Sequence, residues 1–210
     1  VSGRADRTAK VADLDKVELD LGFVEARHLV HGLEISTSRG CIHKCTFCNI
    51  MGRESYQARS TESILDLLSR YQERFQQLFG DNIPQNAYRL HIADDDFACD
   101  KPRAARFFRD ILSTPFRLSS VQVSVADLCV RKNGVLEPEL DPELCDAIIP
   151  ACFADSYRDI PTSEHVNDHQ SRKWSAYLQI GVETFCDREL VRLWKGYRLN
   201  HIHAVVDGLA

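Results

Sequence analysis

No stretch of about 18 consecutive apolar residues occurs in the 210-residue sequence, so no membrane-spanning helix is predicted. No secretory signal is visible at its start. No long run of Lys or Arg stands against the formal net charge of −5, which disfavours nucleic-acid binding by this segment. Evenly spaced cysteines, the mark of a small secreted disulfide scaffold, are also missing. Of 8 cysteines, three crowd together as Cys41, Cys45 and Cys48, while Cys99, Cys129, Cys145, Cys152 and Cys186 are scattered. That distribution fits a reducing cytoplasm, with the trio reserved for metal. What is present is ordinary globular material, 44% apolar and 27% charged, in a length suited to one domain or one large piece of a bigger protein. The chain opens on Val1 and stops at Ala210 inside a helical pattern, so a fragment of a longer protein is expected.

Residues 1–32 are polar and weakly patterned and read as a lead-in segment. From residue 33 strand and helix patterns alternate. A strand over 33–37 breaks at Ser38, Arg39 and Gly40, where a cysteine loop begins. A helix over about 61–79 places Ile64, Leu67, Leu68, Tyr71, Phe75, Leu78 and Phe79 on one face. A strand over 88–93 ends in Asp94, Asp95 and Asp96. A helix follows Asp100, with Pro102 in its first turn and Ala104, Phe107, Phe108, Ile111 and Leu112 as its stripe. A third strand is predicted over 121–125. A third helix begins at Asp141 and Pro142 and buries Leu144, Cys145, Ile148 and Ile149. Residues 154–173 read as a polar surface insertion. A fourth strand over 177–182 precedes a helix through Leu190 and Trp194, and another helix begins near Asn200. Strand followed by helix, four times, predicts an α/β fold with a parallel sheet. Four units are too few to close an eight-fold barrel, so an open arc or part of a partial barrel is expected. The cysteine loop, the aspartate run and Glu183 would meet at the carboxyl ends of the strands, where ligands bind in such folds.

Three thiolates at positions i, i+4 and i+7 can wrap one corner of an iron–sulfur cubane. Such clusters ordinarily take four protein thiolates, so three leave one iron open to a chelating cofactor or substrate. A structural zinc site is the alternative, and it needs four closed ligands. Cys45 and Cys48 supply one Cys-x-x-Cys pair, yet no second pair follows with suitable spacing, and His43 as fourth ligand would crowd the loop.

The run Cys41-x-x-x-Cys45-x-Phe47-Cys48 after a first strand resembles the signature of radical S-adenosylmethionine enzymes. Thr37-Ser38-Arg39-Gly40-Cys41, with Tyr56 to Ser60 beyond it, is similar to the branch that often carries a cobalamin-binding domain. The run from Ile92 to Phe97 and the run from Ile180 to Thr184, with Leu190, Lys195 and Gly196 beyond, resemble the second and fourth strand regions of that branch. The resemblance covers about residues 33–210. It implies a radical SAM core, a partial TIM-like (β/α) barrel truncated here after its fourth βα unit. It also implies a [4Fe–4S] cluster on Cys41, Cys45 and Cys48 whose open iron is chelated by S-adenosylmethionine. The reduced cluster would cleave that cofactor to methionine and a 5′-deoxyadenosyl radical, which abstracts hydrogen from substrate. Cofactor contacts implied by position are Phe47 beside the adenine, and Ala93, Asp94 and Asp95 in place of a Gly-Gly-Glu turn. Ser124 at the third strand's end, Glu183 near the ribose or methionine, and Lys195 against the methionine carboxylate complete the set. A reductant such as flavodoxin or ferredoxin and an unidentified substrate are the implied partners. The resemblance to that branch further implies cobalamin as a candidate cofactor, through a domain outside this chain.

Each residue also has a plainer account. The three aspartates fit a magnesium site or a solvated turn, and Lys195 fits a helix C-terminal cation. Cys145 and Cys152 read as small core residues, and Cys129, Cys145 and Cys152 match no cluster spacing. His165, His169, His201 and His203 read as loop or surface histidines. Three other functions stay open on sequence alone: a cobalamin-dependent radical SAM methyltransferase, a tRNA methylthiotransferase, and a non-enzymatic iron–sulfur or zinc module.

Overall fold

The alternating apolar positions become the helix-covered face of a parallel sheet in a computed structural model, which describes residues 13–29, 31–50, 56–153 and 177–209. Four parallel strands, β1 (Leu33–Ile35), β4 (Arg89–Ile92), β5 (Arg117–Val123) and β8 (Tyr177–Ile180), lie side by side in chain order. Leu33 and Ile35 pair with Leu90 and Ile92, and Val121 and Val123 with Leu178 and Ile180. Leu33, Ile35, Leu90, Ile92, Leu118, Val121 and Val123 are buried. The opposite face carries Glu34, His91, Ser120, Gln122 and Gln179, which line a cavity of about 390 Å³. Strands added in sequential order by right-handed crossovers keep their helices on one face, which leaves the other free to be polar.

Between them run α1 (Thr61–Phe79), α2 (Lys101–Ile111) and α4 (Pro142–Phe153). Ser60 caps α1 by accepting from Ser63 N–H at 3.1 Å, and Gly80 ends it at φ +57°. The predicted α1 face is buried through Phe75, with Leu78 and Phe79 partly covered. Asp100 caps α2, whose Phe107 and Phe108 meet Phe97 edge-on at 5.1 and 5.2 Å between ring centres. Such pairs add about 0.5–1.5 kcal/mol each beyond their burial. Leu112 and Ile149, expected in the core, are exposed, because Leu112 caps α2 and Ile149 lies off the buried stripe of α4.

Other departures have identifiable causes. The third strand begins at Arg117 rather than 121 and stops at Val123. A register shift between Leu90 and His91 buries Leu118 and Ser119 in succession, which hides the alternation. Ser124 then caps the one-turn helix α3 (Val125–Leu128). A hairpin of β6 (Cys129–Lys132) and β7 (Val135–Leu140) is inserted before α4. Asn133 at φ 52° and Gly134 at φ 81° form its two-residue turn, the arrangement that Asn-Gly favours. After β8 come α5 (Asp187–Arg192) and α6 (Leu199–Leu209). The Leu140 side chain fills the space a Cβ would take at Gly208, so α6 lies close on β7. His201, expected at the surface, is buried there, with Nε2 3.1 Å from Leu136 O. Residues 13–29 lie against α1, which holds them by Arg70 to Leu19 O at 2.8 Å and Arg74 to Val24 O at 2.9 Å. Arg59, just ahead of α1, adds a 2.7 Å bond to Val17 O. The predicted insertion at 154–173, with His165 and His169, falls outside the described residues. Among the described residues no helix is long and apolar enough to cross a membrane.

Candidate metal and cofactor site

Every predicted site residue except Phe47, Lys195 and the cysteines follows the carboxyl end of a strand, and Lys195 lies just beyond α5. Parallel pairing brings those ends to one edge of the sheet. The cysteine loop begins with β2 (Ser38–Arg39), which pairs with β3 (Gln57–Ala58). Gly40 turns at φ 78° and donates its N–H to Asp95 Oδ2 at 3.2 Å. Cys41 is buried at the base of the loop, whereas Cys45 and Cys48 are half-buried toward its tip. All three thiols are free. Cys45 feels the charges of Cys41, Cys48, His43 and Lys195, so the three sulfurs share one electrostatic neighbourhood; burial still pushes its thiol up.

Asp94 anchors the base. Its carboxylate accepts from Thr37 N–H and O–H, both at 2.5 Å, and from Ser38 N–H at 2.9 Å and O–H at 2.8 Å. Arg103 lies 3.8 Å away and bonds Thr37 Oγ1, Phe97 O and Arg59 O. The Asp94 side chain is thus committed to shaping the loop. Ala93 extends the sheet by donating to Ile35 O at 2.8 Å. Asp95 and Ala93 line the polar cavity with Glu34 and Gln179. The Ser124 hydroxyl accepts from Ala126 N–H at 3.2 Å, so it acts on α3.

The tip is held from the other side. Thr46 N–H donates to Leu193 O at 3.0 Å and its hydroxyl to Arg192 O at 3.3 Å. Lys195, nearly buried, pairs with Glu183 Oε2 at 2.5 Å. Its ammonium lies 5.5 Å from the ring centres of both Phe47 and Tyr197. Glu183 and Trp194 both take positive φ, 60° and 55°, which aims the segments that carry this pair. Phe47, Glu183 and Lys195 therefore form one subsite beside Cys45, separate from the Asp94 anchor.

A second constellation was not read from the sequence. His43 Nε2 lies 2.7 Å from Asp127 Oδ2 and 3.3 Å from Asp96 Oδ2. Burial works against the imidazolium, yet the bonds to Asp127 and Asp96 outweigh it and hold the ring up at about 10. Burial also lifts Asp96 to about 7, against the pull of His43. Asp127 and Asp96 both face His43 Nε2, so the ring holds the proton between them. Cys99 Sγ sits 4.0 Å from Cys41 Sγ. Hydrogen bonding from Cys99 draws Cys41 down to about 6, with burial opposing, and raises Cys99 itself. Asp96 and Cys99 were visible as the end of the aspartate run and the cysteine three residues on. Asp127 carried no signal beyond its place after the third strand.

These features define a parallel α/β fold with a thiol-rich carboxyl edge. No protein-family model matches the chain, and no curated protein does. Solved structures do match. The cobalamin-dependent S-adenosylmethionine radical enzyme OxsB, with aqua-cobalamin and S-adenosylmethionine bound, shares 20% identity and a TM-score of 0.57 over 83% of this chain. OxsB with aqua-cobalamin alone gives 20% and 0.55. The radical S-adenosylmethionine methyltransferase TsrM from Kitasatospora setae gives 17% and 0.49. The chain spans 21% of the OxsB chain's length. The chain has the fold of a region of cobalamin-dependent radical S-adenosylmethionine enzymes, as its cysteine signature leads one to expect.

Proposed function

We propose that this chain is the first part of a partial α/β barrel of a radical S-adenosylmethionine enzyme, with Cys41, Cys45 and Cys48 as ligands of a [4Fe–4S] cluster. The observation that carries the reading is a loop of three free thiols at the carboxyl edge of four parallel strands, facing a nearly buried lysine. The donor set fits the group: three thiols around one loop, with a cation to offset their charge. When bound, such a cluster supplies the single electron that splits a carbon–sulfur bond of S-adenosylmethionine.

The chain's own residues position and shield. Asp94 and Arg103 fix the base of the loop, and Thr46 fixes its tip to the end of α5. Lys195 presents a cation suited to the methionine carboxylate, a place Glu183 now occupies. Phe47, half exposed above Lys195, offers a flat apolar surface to an adenine. Ala93 and Asp95 border the polar cavity in which a substrate would lie open to these groups. A low-potential donor such as flavodoxin or ferredoxin completes the cycle in a reducing cytoplasm.

The cobalamin-dependent form of the reading draws support from the fold shared with OxsB, a cobalamin-dependent enzyme; the cobalamin would sit in a domain outside this chain. The test is anaerobic reconstitution of the protein. Adding S-adenosylmethionine to the reduced sample is expected to change its EPR spectrum and, on turnover, release 5′-deoxyadenosine. Retention of cleavage after Cys41, Cys45 and Cys48 are replaced by alanine refutes the reading.

A further inference from the structure

Cys99 has no part in the proposed chemistry, yet it lies against it. The Sγ atoms of Cys41 and Cys99, a ring nitrogen of His43 and a carboxylate oxygen of Asp96 all fall within 4.8 Å of one another. Two thiolates bound to one zinc at about 2.3 Å each can be no more than about 4.6 Å apart. The 4.0 Å between Cys41 and Cys99 satisfies that limit. With Nδ1 on the metal, the Nε2–H is left to Asp127, 2.7 Å away, which would orient the ligating imidazole. Backbone N–H groups already point at the sulfurs: His43 N–H reaches Cys41 Sγ at 3.4 Å, and Ile42 N–H faces Cys99. Two thiolates, an imidazole and a carboxylate make a borderline-soft, four-donor set, which suits Zn²⁺ and not Mg²⁺ or Ca²⁺.

We infer that Cys41, His43, Asp96 and Cys99 form a mononuclear Zn²⁺ site that fills when no cluster is present. Binding releases to solvent the Cys99 thiol proton, the extra proton of the His43 imidazolium and whatever protons Cys41 and Asp96 still hold, and involves no redox step. Cys41 belongs to both sets. The ion and a cluster on Cys41, Cys45 and Cys48 therefore exclude each other; only this competition rests on the reading above.

The experiment uses the full protein, purified anaerobically without cluster and titrated with Zn²⁺ against a chromophoric chelator. One equivalent is expected to bind. Cys99→Ser is expected to weaken it by at least about 100-fold, since losing an outer-shell partner alone can reach that figure. Cys45→Ser with Cys48→Ser is expected to leave it unchanged. With Co²⁺ as probe, thiolate charge-transfer absorption should fall by about half in Cys99→Ser, as one of two sulfurs is lost. Asp96→Asn is the second variant should Cys99→Ser lose its far-ultraviolet circular dichroism. Zinc bound equally by Cys99→Ser and Asp96→Asn, or lost on removing Cys45 and Cys48, overturns the site. Reconstitution gives the separate reading: Cys99→Ser should still take up iron and sulfide. One equivalent of Zn²⁺ should slow uptake in the parent and not in Cys99→Ser. Failure of every sample to form a cluster counts against the radical-enzyme reading and leaves the zinc result standing.

Discussion

Replacing Asp94 with asparagine tests whether this residue is a scaffold. In the parent, Oδ1 accepts two backbone N–H groups and Oδ2 two hydroxyls, and the side chain is fully enclosed beside Arg103. Asparagine keeps the Oδ1 acceptor but puts a donor where Oδ2 was. The Thr37 and Ser38 hydroxyls must then rotate to accept, and Thr37 Oγ1 already accepts from Arg103 Nη1 at 3.1 Å. The Arg103 guanidinium, almost as buried, loses the carboxylate it faces at 3.8 Å. Breaking a buried pair costs about 3–5 kcal/mol, and the long separation places this one near 3. For a chain of about 150–250 residues each kcal/mol moves the melting temperature by roughly 2–4 °C. Asp94→Asn should therefore melt roughly 6–12 °C below the parent, read by circular dichroism on the cluster-free protein. Asp95→Asn is the control: its carboxylate takes one backbone bond, from Gly40 at 3.2 Å, for a loss of about 1 kcal/mol. A melt of Asp94→Asn within about 2 °C of the parent, or a larger drop in Asp95→Asn, refutes the assignment.

Other consequences are as open to measurement. Lys195→Met should weaken S-adenosylmethionine binding about 30-fold, the equivalent of about 2 kcal/mol for a charge-assisted contact, while Glu183→Gln should not; equal affinity in Lys195→Met and parent counts against the subsite. Burial lifts Cys129 and Cys145 to about 11 and Cys152 to about 12, above the usual thiol range, so iodoacetamide at pH 8 should label them only on unfolding. Because those folded values are raised, the stability they contribute is complete below about pH 9 and fades as pH climbs through 11 to 12; denaturant midpoints that rise over that window contradict it. Gly134 sits at φ 81° with open space around it, so Gly134→Ala should cost about 1–2 kcal/mol from backbone conformation alone, and an unchanged denaturant midpoint would disprove the turn.

Local signals carried the fold where they were undiluted. The α1 helix matches its expected limits because its apolar spacing, its Ser60 cap and its Gly80 stop all agree. β5 was legible only in its second half, because the shift near Leu90 is a property of the pairing and not of either strand. The Asn133-Gly134 turn was present in the sequence but lay between strands with little apolar alternation, whose Arg131, Lys132 and Glu139 are exposed. At the site, Phe47, Glu183 and Lys195 were found by motif and do converge. The roles of Asp94 and Asp127 depend on partners 57 and 84 residues away, Thr37 and His43, and no spacing rule announces them. His201 misled because its burial comes from a carbonyl of the hairpin that the sequence reading did not include.

The two ends of the cysteine loop are built differently. Its base is tied by protein contacts: Arg103 alone links Thr37, Arg59, Phe97 and Tyr56, with its guanidinium over Phe97 at 4.7 Å. Its Nε atom has no hydrogen-bond partner, a cost of about 1–3 kcal/mol that the guanidinium's other bonds must offset. Cys41 leaves this base buried and already hydrogen-bonded. Cys45 and Cys48 stand on a tip tied mainly through Thr46 and covered by Phe47 and Lys195. Cys41 thus offers a buried sulfur already fixed in place, and Cys45 and Cys48 offer two accessible ones. Cys41 is also the sulfur that Cys99 sits against, so on the two readings proposed above it is the ligand that one ion and a cluster would contest.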